Sequence, residues 1–201
     1  MNRILIIKKF LIVILGSSIM GIGIALALST SLGADPLAWV WVGTSNTFHI
    51  SILKSNLLIA MLMLMPPLIF DRSQLGIGTI IQPIIVGISN ELCLNILPKN
   101  EYNMVILLLG LVILGIGGGI YTGANLGKNS YDSCIFLLNK KTKISIGLLR
   151  SVGDMIFCTI GLFLNRQLLV GPIIAIIIIG PVMNHTLKRL KKIKYEMSLK
   201  S

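Results

Sequence analysis

In the stretch "ISIGLLRSVGD", residues 144–154, Arg150 and Asp154 stand four apart within an apolar run. That spacing puts both side chains on one helix face, where opposite charges can pair. At about 1.5 Å of rise per residue, Asp154 lies about 15 Å along a helix that begins at Ile144, close to the middle of a hydrocarbon layer about 30 Å thick. Charge at that depth is costly unless it is satisfied. Two readings are open: the pair neutralises itself and holds neighbouring helices in register, or it meets a substrate or carries a proton. Two more acids, Asp35 in "SLGADP" and Asp132 in "NLGKNSYD", each follow a Leu-Gly pair. With Arg150 and Asp154 they make up the candidate substrate-binding set, Asp132 shaping its cytoplasmic mouth.

Whatever holds these residues is apolar. Of 201 residues 54% are hydrophobic and 12% charged, and the mean hydropathy is +0.89. So little polar surface cannot cover a water-soluble globule of this size. Six runs reach the roughly 20 residues that a helical crossing needs: Phe10 to Ser29, Ile52 to Phe70, Gly76 to Leu97, Tyr102 to Gly123, Ile144 to Leu164 and Leu168 to Leu187. They lack the polar–apolar alternation of a β-barrel, so the fold class is an all-α polytopic membrane protein with the lipid bilayer as its first partner.

The net charge of +11 invites a nucleic-acid reading, but its placement excludes it. With the N-terminus inside, Arg3, Lys8, Lys9, Arg72, Lys128, Lys140, Lys141, Lys143 and the basic tail from Lys188 to Lys200 fall on the cytoplasmic side. Lys54, Lys99 and Arg166 fall outside. This positive-inside bias places the protein in the cell membrane with both termini cytoplasmic. The tail reads as an anchor on anionic headgroups.

The chain also repeats itself. At an offset of 94, Gly21 to Gly23 fall on Gly115 to Gly117, Leu32 and Gly33 on Leu126 and Gly127, and Ile50 to Ile52 on Ile144 to Ile146; after the loss of one residue, at an offset of 93, Gly78 matches Gly171 and Gly87 matches Gly180. Residues 1–97 and 98–201 are thus two copies of a three-crossing unit. Because each copy crosses an odd number of times, the second enters from the opposite face, and the repeats are inverted.

After each Leu-Gly pair a helix start is written, with Asp35 capping ahead of Pro36, and Asn129 capping with Asp132 three residues on. The helices that follow, Pro36 to Thr47 and Ser130 to Lys140, reach about 18 Å and cannot span. They are interfacial linkers or re-entrant half-helices whose positive ends point at an anion. Trp39 and Trp41 suit a headgroup belt on the outer face.

Small residues recur every fourth position on the first helix of each copy: Gly21, Ala25 and Ser29, then Gly115, Gly119 and Gly123. Such a stripe lets helices pack closely, and its recurrence predicts that the first and fourth spans cross on it. Gln82, Asn90, Glu91, Asn184 and His185 are candidates for hydrogen bonds between helices. Pro83, Pro172 and Pro181 are expected to kink or interrupt the third helix of each copy.

Cys93, Cys134 and Cys158 are odd in number and form no close pair, and the two histidines make no metal motif. No phosphate loop or nucleophile elbow is present, so neither an enzyme nor a cofactor is expected. "LGADP" after a small-residue helix, "ISI" opening the next span, a second "LG" followed by Asp132, and "ISIGLLRSVGD" resemble the YitT/YczE-like group of small bacterial integral membrane proteins. The resemblance runs from about Gly16 to about Leu187 and implies the same duplicated, multi-span architecture. The group favours Gly-Pro-Arg-Asp where this chain has Asn129, Ser130, Tyr131 and Asp132, and often Glu at Asp154.

Inverted repeats and a buried charged pair favour a small transporter or permease for an unknown small-molecule substrate. Small size and the absence of any energy-coupling motif favour the alternative, a substrate-binding or assembly subunit of a larger membrane complex; a membrane partner subunit or a homo-oligomer is the further partner expected.

Overall fold

The computed structural model describes residues 3–198, with side chains from 6 to 192. The side chains of Arg3, Lys194 and Lys200, used in the charge argument, lie outside the described residues. The described residues form eight α-helices and one short 3-10 turn at Arg72–Gln74: α1 (Arg3–Leu28), α2 (Pro36–Phe48), α3 (Ile52–Phe70), α4 (Ile77–Ile96), α5 (Met104–Gly123), α6 (Ser130–Thr142), α7 (Ile146–Asn165) and α8 (Val170–Ser198). Six of them, all but α2 and α6, are long and apolar enough to cross a membrane.

Helix starts follow local chemistry. Ser51, Asn103 and Ser145 accept from the backbone N–H groups of Lys54, Ile106 and Leu148, satisfying donors that a first turn leaves free. α2 and α6 both end on residues in the left-handed region, His49 and Lys143. After each, a polar side chain closes the turn: Ser45 Oγ donates to the Ile50 carbonyl at 2.5 Å and Asn139 Nδ2 to the Ile144 carbonyl at 2.7 Å.

α1 and α5 form the central and most extensive contact; α4 packs on α1 and α8 on α5. The α1–α5 crossing rests on glycines, but not on the stripe read from the sequence. A Cβ on Gly16 would stand 2.5 Å from the Tyr121 nitrogen, on Gly23 2.5 Å from the Leu114 nitrogen, on Gly110 2.7 Å from the Ala27 nitrogen and on Gly117 2.6 Å from the Met20 nitrogen. Gly21 instead faces Val86 and Asn90 on α4, and Gly115 and Gly119 face Val182 and Thr186 on α8, with Gly123 towards Leu190. Each helix therefore carries two close-approach faces. Four-residue spacing shows that a face is narrow and leaves open which neighbour it meets. Ala25 on α1 and Ser29 just beyond its end are both buried.

Two further sequence readings are corrected. Trp39 and Trp41, 2% and 5% exposed, are buried rather than set in a headgroup belt; Trp39 lies against Gly161 of α7, where an added Cβ would meet the indole at 2.8 Å. A short helix enclosed by α3 and α7 turns both indoles inward. Of the two outcomes expected at the prolines, kink or interruption, interruption does not occur: α4 and α8 run on through Pro83 and Pro181. Pro172 falls in the first turn of α8, where no N–H is needed.

Candidate functional site

The two short helices both begin inside the helix bundle. After Ser29 and Thr30, whose carbonyls accept from Asn100 and Tyr102, the chain turns back inward. Gly33, at φ +84°, makes that turn against Leu169 and Pro172, a conformation that costs a glycine little. α2 then runs outward along the second half of α7, where Asn165 Nδ2 donates to the Trp39 carbonyl at 3.1 Å. α6 does the same in the other half: Gly127, at φ +113°, makes the turn, and α6 runs along α3 to the Lys140–Asp71 ion pair at 2.7 Å. That lysine and the Ser73 backbone N–H hold the Asp71 carboxyl down to about 2. Matching hydrogen bonds lock the two turns, Gly171 N–H to the Leu32 carbonyl at 2.8 Å and Gly78 N–H to the Leu126 carbonyl at 2.9 Å.

Both half-helices thus aim their N-termini at one cavity of about 190 Å³. Its polar wall includes Asp35, Asn129, Tyr131, Arg150, Asp154 and Asn56; Met20, Met63, Met183 and Trp41 contribute to its softer wall. Of the four acid and base residues picked out in the sequence, Asp35, Arg150 and Asp154 line the cavity. Asp132 stands behind it, bound to Arg150.

The pairing among them differs from the sequence reading. Arg150 Nη1 donates to Asp132 Oδ1 at 2.7 Å, and Asp154 Oδ1 accepts from the Tyr131 hydroxyl at 2.8 Å. The reason lies in side-chain direction. Helical side chains lean towards the N-terminus, so Arg150 reaches away from Asp154, and a basic residue four before an acid is the poorer order. Asp132 is held for the guanidinium by Asn129, whose Nδ2 donates to its other oxygen at 3.0 Å. Asp35 Oδ2 caps α2 by accepting from Ala38 N–H at 3.4 Å; its Oδ1 is buried without a hydrogen-bond partner.

Sequence reasoning passed over two residues of this site. Tyr131 bridges α6 to α7, its hydroxyl within 2.9 Å of the Arg150 carbonyl as well. Asn56 of α3 donates to the Pro83 carbonyl of α4 at 2.7 Å. The repeat offset could have found Asn56, because it occupies the register of Arg150 in the first copy. Among the other polar candidates, Glu91 accepts from Leu53 N–H at 3.3 Å, His185 accepts from Arg189 Nε at 3.2 Å, and Asn90 is buried with no partner.

Compared with known proteins, residues 7–188 match the model of a family of unknown function, DUF6198. The chain belongs to this family. It is 27% identical over 197 residues to an uncharacterized protein of Haemophilus influenzae, covering 94% of this chain and 89% of that one. It is 21% identical over 182 residues to the uncharacterized protein YyaS of Bacillus subtilis, covering 88% and 90%. It is also 23% identical over 176 residues to the uncharacterized membrane protein YczE of Bacillus subtilis, covering 86% and 82%. The likeness to YczE bears out the family resemblance carried by "LGADP" and "ISIGLLRSVGD", and with the six long apolar helices it makes this DUF6198 member a multi-pass membrane protein. No solved structure matches the chain.

Proposed function

We propose that this DUF6198 member is a small permease of the cell membrane, with both termini cytoplasmic, built of two inverted repeats, 1–97 and 98–201, that share one solute cavity. The packing supports the repeats: α1–α4 has its counterpart in α5–α8, and α2–α7 in α6–α3. The Leu32–Gly171 and Leu126–Gly78 hydrogen bonds are likewise counterparts.

One observation carries the transport reading. In the first copy α3 is clasped to α4 by Asn56 on Pro83 and by Leu53 N–H on Glu91. In the second copy the corresponding helices, α7 and α8, barely touch, and a Cβ on Gly147 or Gly180, both on the cavity wall, would meet nothing within 4 Å. The same helix pair stands closed in one half and open in the other. Exchange of the two arrangements between two equivalent halves is alternating access, with the glycine-seated α1–α5 crossing as its axis.

A second reading is favoured by α7, which buries little beyond Gly161 and presents Leu148, Met155, Ile156 and Phe163 outward, a face that a partner subunit could cover. Gentle purification separates the two. A protein that runs alone or with its own copies supports the permease; a second protein present in stoichiometric amount replaces that reading with the subunit.

A further inference from the structure

The geometry points to a small organic ammonium ion, with a short apolar body, as the solute of the cavity, its N–H groups shared between Asp35 and Asp154. This rests on reading the cavity as a solute site.

The charges decide the class. Three carboxylates, Asp35, Asp132 and Asp154, belong to this part of the molecule with one guanidinium, and Asp132 takes the guanidinium. Asp35 and Asp154 are left on the wall without an ion pair among the described residues. Asp154 has one hydrogen bond, from the Tyr131 hydroxyl. Asp35 spends one oxygen on the α2 cap and keeps the other buried and unpartnered. A buried acceptor left unsatisfied is costly, and a donor that also carries positive charge relieves it best.

Helix N-termini ordinarily attract anions, and both half-helices aim theirs here. Each already carries a carboxylate of its own, Asp35 on α2 and Asp132 on α6. At α2 an incoming anion would meet the Asp35 carboxylate, and at α6 the Asn129 side chain already takes up the Asp132 N–H.

The remaining wall sets the body of the ligand. Met20, Met63, Met183, Ile24 and Trp41 are apolar or aromatic, and methionines adapt to varied shapes. A cavity of about 150 Å³ holds benzene, so about 190 Å³ admits a single ring or a short alkyl chain with an aminomethyl group.

Titration calorimetry of the purified full-length protein at neutral pH tests this with three probes that differ only in the polar group: benzylamine, benzyl alcohol and benzoate. Benzylamine is expected to bind at least about tenfold more tightly than the other two, the discrimination expected of a charge-assisted hydrogen bond. Asp35→Asn, which keeps an amide oxygen to cap α2, should weaken benzylamine about tenfold and benzyl alcohol by less. Asp154→Asn should act alike, and serves if Asp35→Asn unfolds. Absence of binding by all three probes overturns the assignment, as does benzoate binding as tightly as benzylamine, or full affinity in both variants. If benzylamine binds as expected but never shifts the α7–α8 separation in lipid, the ligand class stands and the permease reading falls.

Discussion

Gly117→Ala tests the close α1–α5 crossing on which the fold and the proposed motion depend. The new Cβ would stand 2.6 Å from the Met20 nitrogen and 2.7 Å from the Gly16 carbonyl oxygen. Ordinary carbon contacts lie at about 3.5 Å or more, so α1 must retreat by about 1 Å along a contact that runs the length of both helices. Overpacking costs about 1–3 kcal/mol, and the upper end applies because the obstructing atoms are backbone and cannot rotate away. Replacing a helical glycine by alanine returns about 1 kcal/mol. The net loss is about 2 kcal/mol. Gly147→Ala is the control: its Cβ meets nothing within 4 Å, so it should not destabilise, and the same glycine-to-alanine gain should stabilise it by up to about 1 kcal/mol. Unfolding by sodium dodecyl sulfate, followed by circular dichroism on protein in mild detergent, compares the two. Equal midpoints for Gly117→Ala and Gly147→Ala would refute the packing argument.

A double-mutant cycle of Arg150→Gln with Asp132→Asn should show a coupling of about 1–3 kcal/mol, larger than the cycle of Arg150→Gln with Asp154→Asn; the reverse order would restore the pairing within α7. The Asp71 carboxyl, held down to about 2 by Lys140, contributes stability that is fully present above the ordinary aspartate range and is lost as pH falls towards 2. Wild type and Asp71→Asn should therefore differ by a constant amount at neutral pH, draw together as pH falls through the ordinary aspartate range and converge only below about pH 2, as read from unfolding midpoints across pH; a gap that widens in acid would contradict this. In a background without Cys93, Cys134 and Cys158, cysteines at Asn46 and Asn100 should label only from outside and cysteines at Lys141 and Lys192 only from the cytoplasm. Labelling of Asn46→Cys and Lys141→Cys from the same side would end the inverted-repeat proposal.

Much of this arrangement was legible in the chain. Run length alone gave the six long helices, and capping chemistry placed the starts of α2 and α6 at Pro36 and Ser130. Asp35, Arg150 and Asp154 were picked out because charge is conspicuous against an apolar background. What stayed hidden is relational. A side chain's spacing fixes its helix face but not the neighbour on that face, so the glycine stripe was given to the wrong crossing and Arg150 to the wrong carboxylate. Trp39 and Trp41 were misplaced for the same reason: amphipathic rings on a short helix suit a headgroup belt unless the helix is enclosed, and enclosure is decided by α3 and α7. Asn56 was passed over because a single amide early in a span carries little signal until its carbonyl partner on α4 is known.

The most direct measurement of the proposed alternation is a pair of spin-label distances in lipid bilayers, Leu148 to Ile177 across α7 and α8, and Leu58 to Ile84 across α3 and α4. Asn56→Leu removes the donor that clasps α3 to the Pro83 carbonyl. In that variant the α3–α4 distance should gain a longer population while the α7–α8 distance gains a shorter one, because one half closes as the other opens. An α7–α8 distance that stays at a single value while α3 and α4 separate would show two independent helix pairs and contradict the permease account.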